Sequence, residues 1–426
     1  MFETIKNALK IGDLKKKLIF TFLLLLVYRI GCHIPVPGLI EEAFKDLIGG
    51  NQLFGFMDTF SGGAFSRASL FAMNITPYIN ASIIMNLLTV AIPHLEKLQR
   101  EGAEGRKKIQ QYVRYLTVAL GFFQAGMLYI SLASNNAIYD GGTIVSFFLV
   151  TLSFTAGTAF IMWLGENITE KGVGNGISLI IFTGIIASAP AGVATLLYYF
   201  QQGMLGTGIV GILGILLVLA VITLVIAGVI YVTQAERRIP IQYAKRVVGR
   251  KMYGGQSTHL PIKLNMAGVI PIIFASSITM LPAIIIRLAA PTTESRFLQA
   301  LQNQGGWGHL TIYAILILFF TFFYTIIQFN PVEVSNNIKK NGGFIPGIRP
   351  GKPTADYISK VLNRITWFGG FFLAIVAVFP AIMGAIFKMN IWLGGTTLLI
   401  LVGVALETVK QIESQMLMRH YKGFLD

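Results

Sequence analysis

A single cysteine, Cys32, leaves no internal disulfide framework and no cysteine-based metal cluster; a small apolar filler is its expected role. Charge is scarce as well. Asp, Glu, Lys and Arg make up 12% of 426 residues, against roughly 25% in a soluble domain. His33, His94, His259, His309 and His420 fall in separate gaps between apolar runs and make no ligand cluster. There is no Gly-Lys-Ser/Thr phosphate loop. Gly172-Val173-Gly174-Asn175-Gly176 lacks the preceding strand and the spacing of a dinucleotide fingerprint, and reads as a tight turn opening a helix. No nucleophile–base pair sits within an apolar run. Neither catalytic residues, a cofactor nor a metal is expected, and the chain does not read as an enzyme.

What is present is apolar length. The hydrophobic fraction is 54% and the mean hydropathy +0.67. A hydrocarbon core of about 30 Å needs about 20 consecutive apolar residues as helix. Ten such runs occur, near 18–38, 71–93, 113–134, 142–165, 176–200, 208–233, 265–290, 308–329, 365–388 and 390–409. Helices are expected because lipid cannot satisfy backbone donors and acceptors. Leu18 to Leu26 could serve as a signal-peptide core, but Tyr28, Arg29, Pro35 and Pro37 follow with no small-residue cleavage pattern, so this run is expected to stay in the membrane.

The net charge of +15 is concentrated in alternate gaps. Lys and Arg crowd the N-terminus, the gap near 94–114, the gaps 234–263 and 330–364, and the C-terminal tail. The opposite gaps hold only Arg29, Lys45, Arg67, Arg287, Arg296 and Lys388. The positive-inside rule therefore puts both termini in the cytoplasm. Topology and anionic lipid account for much of this charge. The gaps 234–263 and 330–364 exceed the 2–8 residues of a usual helix connection, and long loops in compact proteins are commonly functional. Basic and extended, they suit an acidic or RNA-rich partner.

Residues 54–69 are apolar and glycine-bearing but too short to cross. They read either as an interfacial hairpin on the outer surface or as a re-entrant segment, tolerated at membrane depth where protein buries it. Arg67 would be costly against lipid. Isolated amides, among them Asn74, Asn80, Asn86, Gln124 and Asn265, read by default as helix–helix glue. A secondary transporter is the alternative architecture, but coupled transport needs intramembrane carboxylates or histidines. Here Glu407 and Arg287 sit near span ends and Arg29 toward the outer end of the first span.

The run Ser61-Gly-Gly-Ala-Phe-Ser-Arg-Ala-Ser-Leu-Phe-Ala-Met-Asn-Ile-Thr-Pro-Tyr-Ile79 closely resembles the segment that opens the second helix of bacterial SecY proteins, the channel subunits of the Sec protein translocase. The resemblance continues through Glu101–Lys108, Trp163–Ser178, Gln256–Pro271, Pro346–Gly351 and Gly394–Leu399. It implies an all-α polytopic membrane protein. Ten transmembrane helices would form two pseudo-symmetric inverted halves, 1–201 and 202–426, around an hourglass pore with a lateral opening to lipid. Carried onto this chain, the family's pore ring falls on Ile75, Ile79, Ile181, Ile273 and Ile400. An apolar β-branched collar suits such a pore, since it dewets when empty and deforms around a passing chain. The same carry-over makes 57–67 a re-entrant plug, including Met57, Phe60, Gly62, Gly63, Phe65 and Arg67. Asn80, Gln124 and Asn265 become the polar cluster of the lateral gate, with bonds of about 0.6 kcal/mol that a signal sequence could break. Arg237, Arg238, Lys245, Arg246, Arg250, Lys251 and Arg349 become docking residues for the SecA motor or the ribosome. SecE and SecG-type small subunits, unfolded preprotein and membrane lipids complete the implied partners, in the bacterial cytoplasmic membrane.

Overall fold

The computed structural model describes residues 6–42, 52–134, 137–139, 142–203, 209–243, 246–248, 251–253, 257–289, 306–387 and 395–420. Its helices are α1 (Gly12–Gly31), α2 (Gln52–Ser61), α3 (Thr76–Ala91), α4 (Pro93–Arg100), α5 (Ala103–Ser134), α6 (Ile144–Lys171), α7 (Gly176–Gln201), α8 (Ile209–Gln234), α9 (Ile270–Ala289), α10 (Trp307–Gln328), α11 (Pro331–Lys340), α12 (Lys352–Phe387) and α13 (Gly395–His420). Helices α1, α3, α5 to α10, α12 and α13 lie at the ten expected spans. Among the described residues, seven helical stretches are long and apolar enough by themselves to cross a membrane. Helices α3 and α4 pass the same test together, as a pair bent by 100°.

Several boundaries differ from the apolar runs, each for a local reason. The first run extends to 38, yet α1 stops at Gly31. Pro35 and Pro37 cannot continue a helix, and Gly38 turns the chain at φ +88°. The segment after α1 is extended instead: Val36 N donates to Ala68 O at 2.9 Å and Leu70 N to Ile34 O at 2.8 Å. The second run begins at 71, but helix starts only at Thr76, with Pro77 in the first turn. Before it, Gly62, Gly63, Ala68 and Asn74 all have positive φ, so residues 62–75 wind through successive turns. Pro93 ends α3 and opens α4. The seventh helix starts at Ile270, not 265, because Asn265 Nδ2 closes a turn on Gly268 O at 3.0 Å. Helix α12 reaches back to Lys352 and runs 36 residues. Residues 390–394 of the tenth run lie outside the described residues.

The glycine-rich stretch after α6 is the expected turn. Asn175 Oδ1 accepts from Ile177 N and Ser178 N and so caps α7. Gly176 lies against α6 so closely that a Cβ would stand 2.0 Å from Gly165 O. The largest buried cluster runs from Tyr28 on α1 to Leu406 on α13 and draws on both halves of the chain.

The described parts of the two long basic loops carry regular structure. Within 234–263, β1 (Glu236–Tyr243) pairs antiparallel with β4 (Ser257–Lys263), and β2 (Arg246–Val248) pairs antiparallel with β3 (Lys251–Tyr253) in a separate hairpin. From the other loop, β5 (Gly343–Phe344) pairs with the far side of β1, giving the order β4-β1-β5. Ile239, Ile241 and Ile262 face inward onto Ile338 of α11, Ile345, and Ile358 and Leu362 of α12. Leu264 N donates to Ala235 O, which makes every second pair from there hydrogen-bonded. Pro240 and Pro261 therefore occupy the alternate positions, where a backbone N would point away from the partner strand.

Candidate functional site

Ile75 precedes the first residue of α3, Ile79 lies one turn on, and Ile181, Ile273 and Ile400 sit on α7, α9 and α13. All five belong to one buried cluster, and none is more than 8% exposed. That cluster runs through the whole helical core, and within it α3 packs on α9 and α7 on α13. Tight helix contacts support the cluster: a Cβ on Gly403 would stand 2.4 Å from Val269 Cγ1.

Beside them lies the segment that reads two ways from sequence. It does not lie on the outer surface. Ser61, Gly62, Ala64, Phe65 and Ala68 are buried, while Met57, Phe60, Gly63 and Arg67 are partly buried. Helix α2 ends where Gly62 and Gly63 turn left-handed at φ +67° and +81°. Asp58, a charge the sequence reading passed over, organises this turn. Its Oδ1 accepts from Ser66 N at 2.7 Å, and its backbone O accepts from Gly63 N at 2.9 Å and from Ser61 Oγ at 3.0 Å. Arg67 Nη1 is buried without a hydrogen-bond partner among the described residues. Three side chains from elsewhere donate to the end of α2: Ser188 Oγ to Thr59 O at 2.9 Å, Asn74 Nδ2 to Phe60 O at 2.9 Å, and Arg29 Nη1 to Gly62 O at 2.7 Å. Asp58 was visible in the sequence as a charge in an apolar stretch. Ser188 carried no signal, since only the fold brings α7 to this point.

The amides Asn80, Gln124 and Asn265 lie on or beside α3, α5 and α9, which pack against one another. The structure does not join them by hydrogen bonds. Both amide atoms of Asn80, Gln124 Nε2 and Asn265 Oδ1 are buried without partners among the described residues.

In the extramembrane sheet, Arg237 and Arg238 are exposed on β1, with Arg238 Nε 2.7 Å from Glu236 Oε1. Arg246 and Lys251 belong to the β2–β3 hairpin; Lys245 and Arg250 lie outside the described residues. Arg349 is exposed on a turn fixed at its backbone. Thr354 Oγ1 donates to Arg349 O at 2.8 Å, and Ser335 Oγ to Gly351 O at 2.7 Å. Gly347 and Gly351 supply φ +79° and +105°.

A family model described as SecY matches residues 69–409. The chain is 48% identical to the protein translocase subunit SecY of Thermotoga maritima, across all of this chain and 98% of that one. It is likewise 48% identical to the subunit of the same name from Halalkalibacterium halodurans, with both chains fully covered. In fold it is similar to a solved protein-conducting channel, with a TM-score of 0.65 at 20% identity over 94% of this chain and 92% of that one. It is also similar to Sec61 in a canine ribosome–channel complex from the endoplasmic reticulum, with a TM-score of 0.63 at 19% identity over the same shares.

Proposed function

The chain belongs to the SecY family, and from that membership we propose how its parts conduct protein. It is a multi-pass membrane protein and a protein-translocation channel. In our reading, Ile75, Ile79, Ile181, Ile273 and Ile400 form the collar through which an unfolded chain passes. The observation that supports this is the burial of all five in the one continuous core that both halves of the sequence share. Such a collar sets no charge requirement on its cargo and closes to ions by excluding water. Residues 57–67 are the plug beneath it, supported by their burial among the helices.

Asn80, Gln124 and Asn265 line the lateral gate between α3, α5 and α9. Buried amides without partners are costly, so this seam is the weakly closed one, where a signal sequence can part the helices. The halves 1–201 and 202–426 move against each other about it. The basic sheet and the Arg349 turn receive a ribosome or a SecA-type motor. SecE and SecG-type subunits brace the channel in the bacterial cytoplasmic membrane, with both termini inside. The transporter alternative gains nothing from the fold: Glu407 is exposed on α13. The test is reconstitution of the purified chain with its small subunits and motor in liposomes, followed by import of one preprotein. Motor-dependent protection of that preprotein from protease is expected; its absence with all components folded would refute the reading.

A further inference from the structure

An α-helix leaves its last carbonyls unpaired, and the end of α2 has an unusual remedy. The carbonyls at and just past its end are met by side chains from three other places, each within 2.9 Å: Asn74 in the turn before α3, Arg29 on α1, and Ser188 on α7, whose hydroxyl shares its one hydrogen between Thr59 O and, at 3.0 Å, Gly184 O of its own helix. Cys32 Sγ lies 3.9 Å from Ser61 O. The seat is also shaped by missing side chains. A Cβ on Gly184 of α7 would stand 2.2 Å from Phe60 O, and one on Gly62 would stand 2.9 Å from Gly184 O and from Arg29 Nη1. Backbone meets backbone here, and the Arg29 cation faces the negative end of the helix dipole.

We propose that Arg29, Asn74 and Ser188 are positioning residues that lock segment 57–67 in its resting seat, with Gly184 as the surface it rests on. The proposal rests on the reading of 57–67 as the plug. The three donors grip Thr59, Phe60 and Gly62 from three separate elements, so the segment is either held at all three points or released from them together. Arg29 supplies the strongest contact, because a charged donor makes a stronger bond than a neutral one.

The test uses the channel with its small subunits in liposomes, carrying Cys32→Ser and Ser61→Cys. Ser61 is fully buried and differs from cysteine by one atom, and serine at 32 keeps a donor toward Ser61 O. In this parent the thiol should resist external reagent at rest and react when a substrate is arrested in the channel. From the net worth of neutral and charged hydrogen bonds, Ser188→Ala and Asn74→Gly should speed resting labelling about threefold to tenfold, and Arg29→Met about tenfold to a hundredfold. Glycine at 74 keeps the positive φ while removing the donor. Arg29→Lys should stay near the parent rate, a rescue that loss of packing would not show. Gly184→Ala should unseat the segment with every donor intact. Ser188→Ala removes one oxygen and carries the test should Arg29→Met fail to accumulate. Resting labelling unchanged in these variants, with substrate-dependent labelling preserved, would overturn the lock and leave the plug standing. Equal labelling of the parent in both states would overturn both.

Discussion

Replacing Arg349 by Glu separates a docking charge from a merely topological one. The side chain is exposed, and among the described residues it takes part in none of the ion pairs. A surface change of this kind shifts stability by no more than about 0.5 kcal/mol, so abundance and melting should stay at the parent level. The turn beneath it is a different matter. Thr354 is almost fully buried, and its hydroxyl holds Arg349 O at 2.8 Å; Gly351 sits at φ +105°, where a side chain is strained. Such a platform presents one cation in one place. If a motor reads it, loss of a charge-assisted contact should weaken engagement about tenfold to a hundredfold. Thr354→Val keeps the charge but frees the backbone, and loses one bond of about 1 kcal/mol; its effect should be about fivefold. The assay is motor-driven import into inverted vesicles, read against channel abundance and melting temperature. Normal import by Arg349→Glu would reduce the residue to one positive charge among many. A drop in import matched by a drop in melting temperature would assign it to folding instead.

Two further outcomes are expected. Ile79→Ser with Ile273→Ser should raise resting ion conductance in planar bilayers, measured at equal folded abundance because buried truncations cost about 2–5 kcal/mol each; unchanged conductance would move the seal away from the collar. Neutralising Arg237, Arg238 and Arg250 together should lower the slope of log affinity against log salt for ribosome binding by between about one and two, at about 0.7 per single-strand phosphate contact. The reduction falls short of three full contacts because Arg238 already pairs with Glu236 at 2.7 Å. An unchanged slope would show that the sheet is not the contact.

The membrane helices were legible because each apolar run is long and its ends carry their own punctuation. Pro93 and the Asn175 cap mark boundaries that sequence alone suggests. The extramembrane sheet was missed although a period-two signal was present: Ile239 and Ile241 alternate with Arg238, Pro240 and Gln242, as Leu260 and Ile262 do with His259, Pro261 and Lys263, and the prolines masked it as a strand. What no local pattern could reveal is that Gly343 and Phe344 complete it from the following loop. The collar isoleucines have the same limitation. One isoleucine in an apolar helix resembles any other, and only a family likeness singles these five out from the rest of the core. The grip on α2 lay furthest from view, since Ser188 and Thr59 are 129 positions apart.

The two prolines of the sheet bear on life in a crowded membrane. Channels embedded in one membrane hold identical strands at the same height above it. An exposed strand edge is a template for its own copy, and repeated pairing leads to fibrous aggregates. In β4 the outward position at 261 has no hydrogen to offer, and in β1 the same is true at 240. A neighbouring copy would find a broken row of donors along β4, and again on the stretch of β1 that the short β5 leaves unpaired. The sheet can therefore stay bare between engagements without zippering to the molecule next to it.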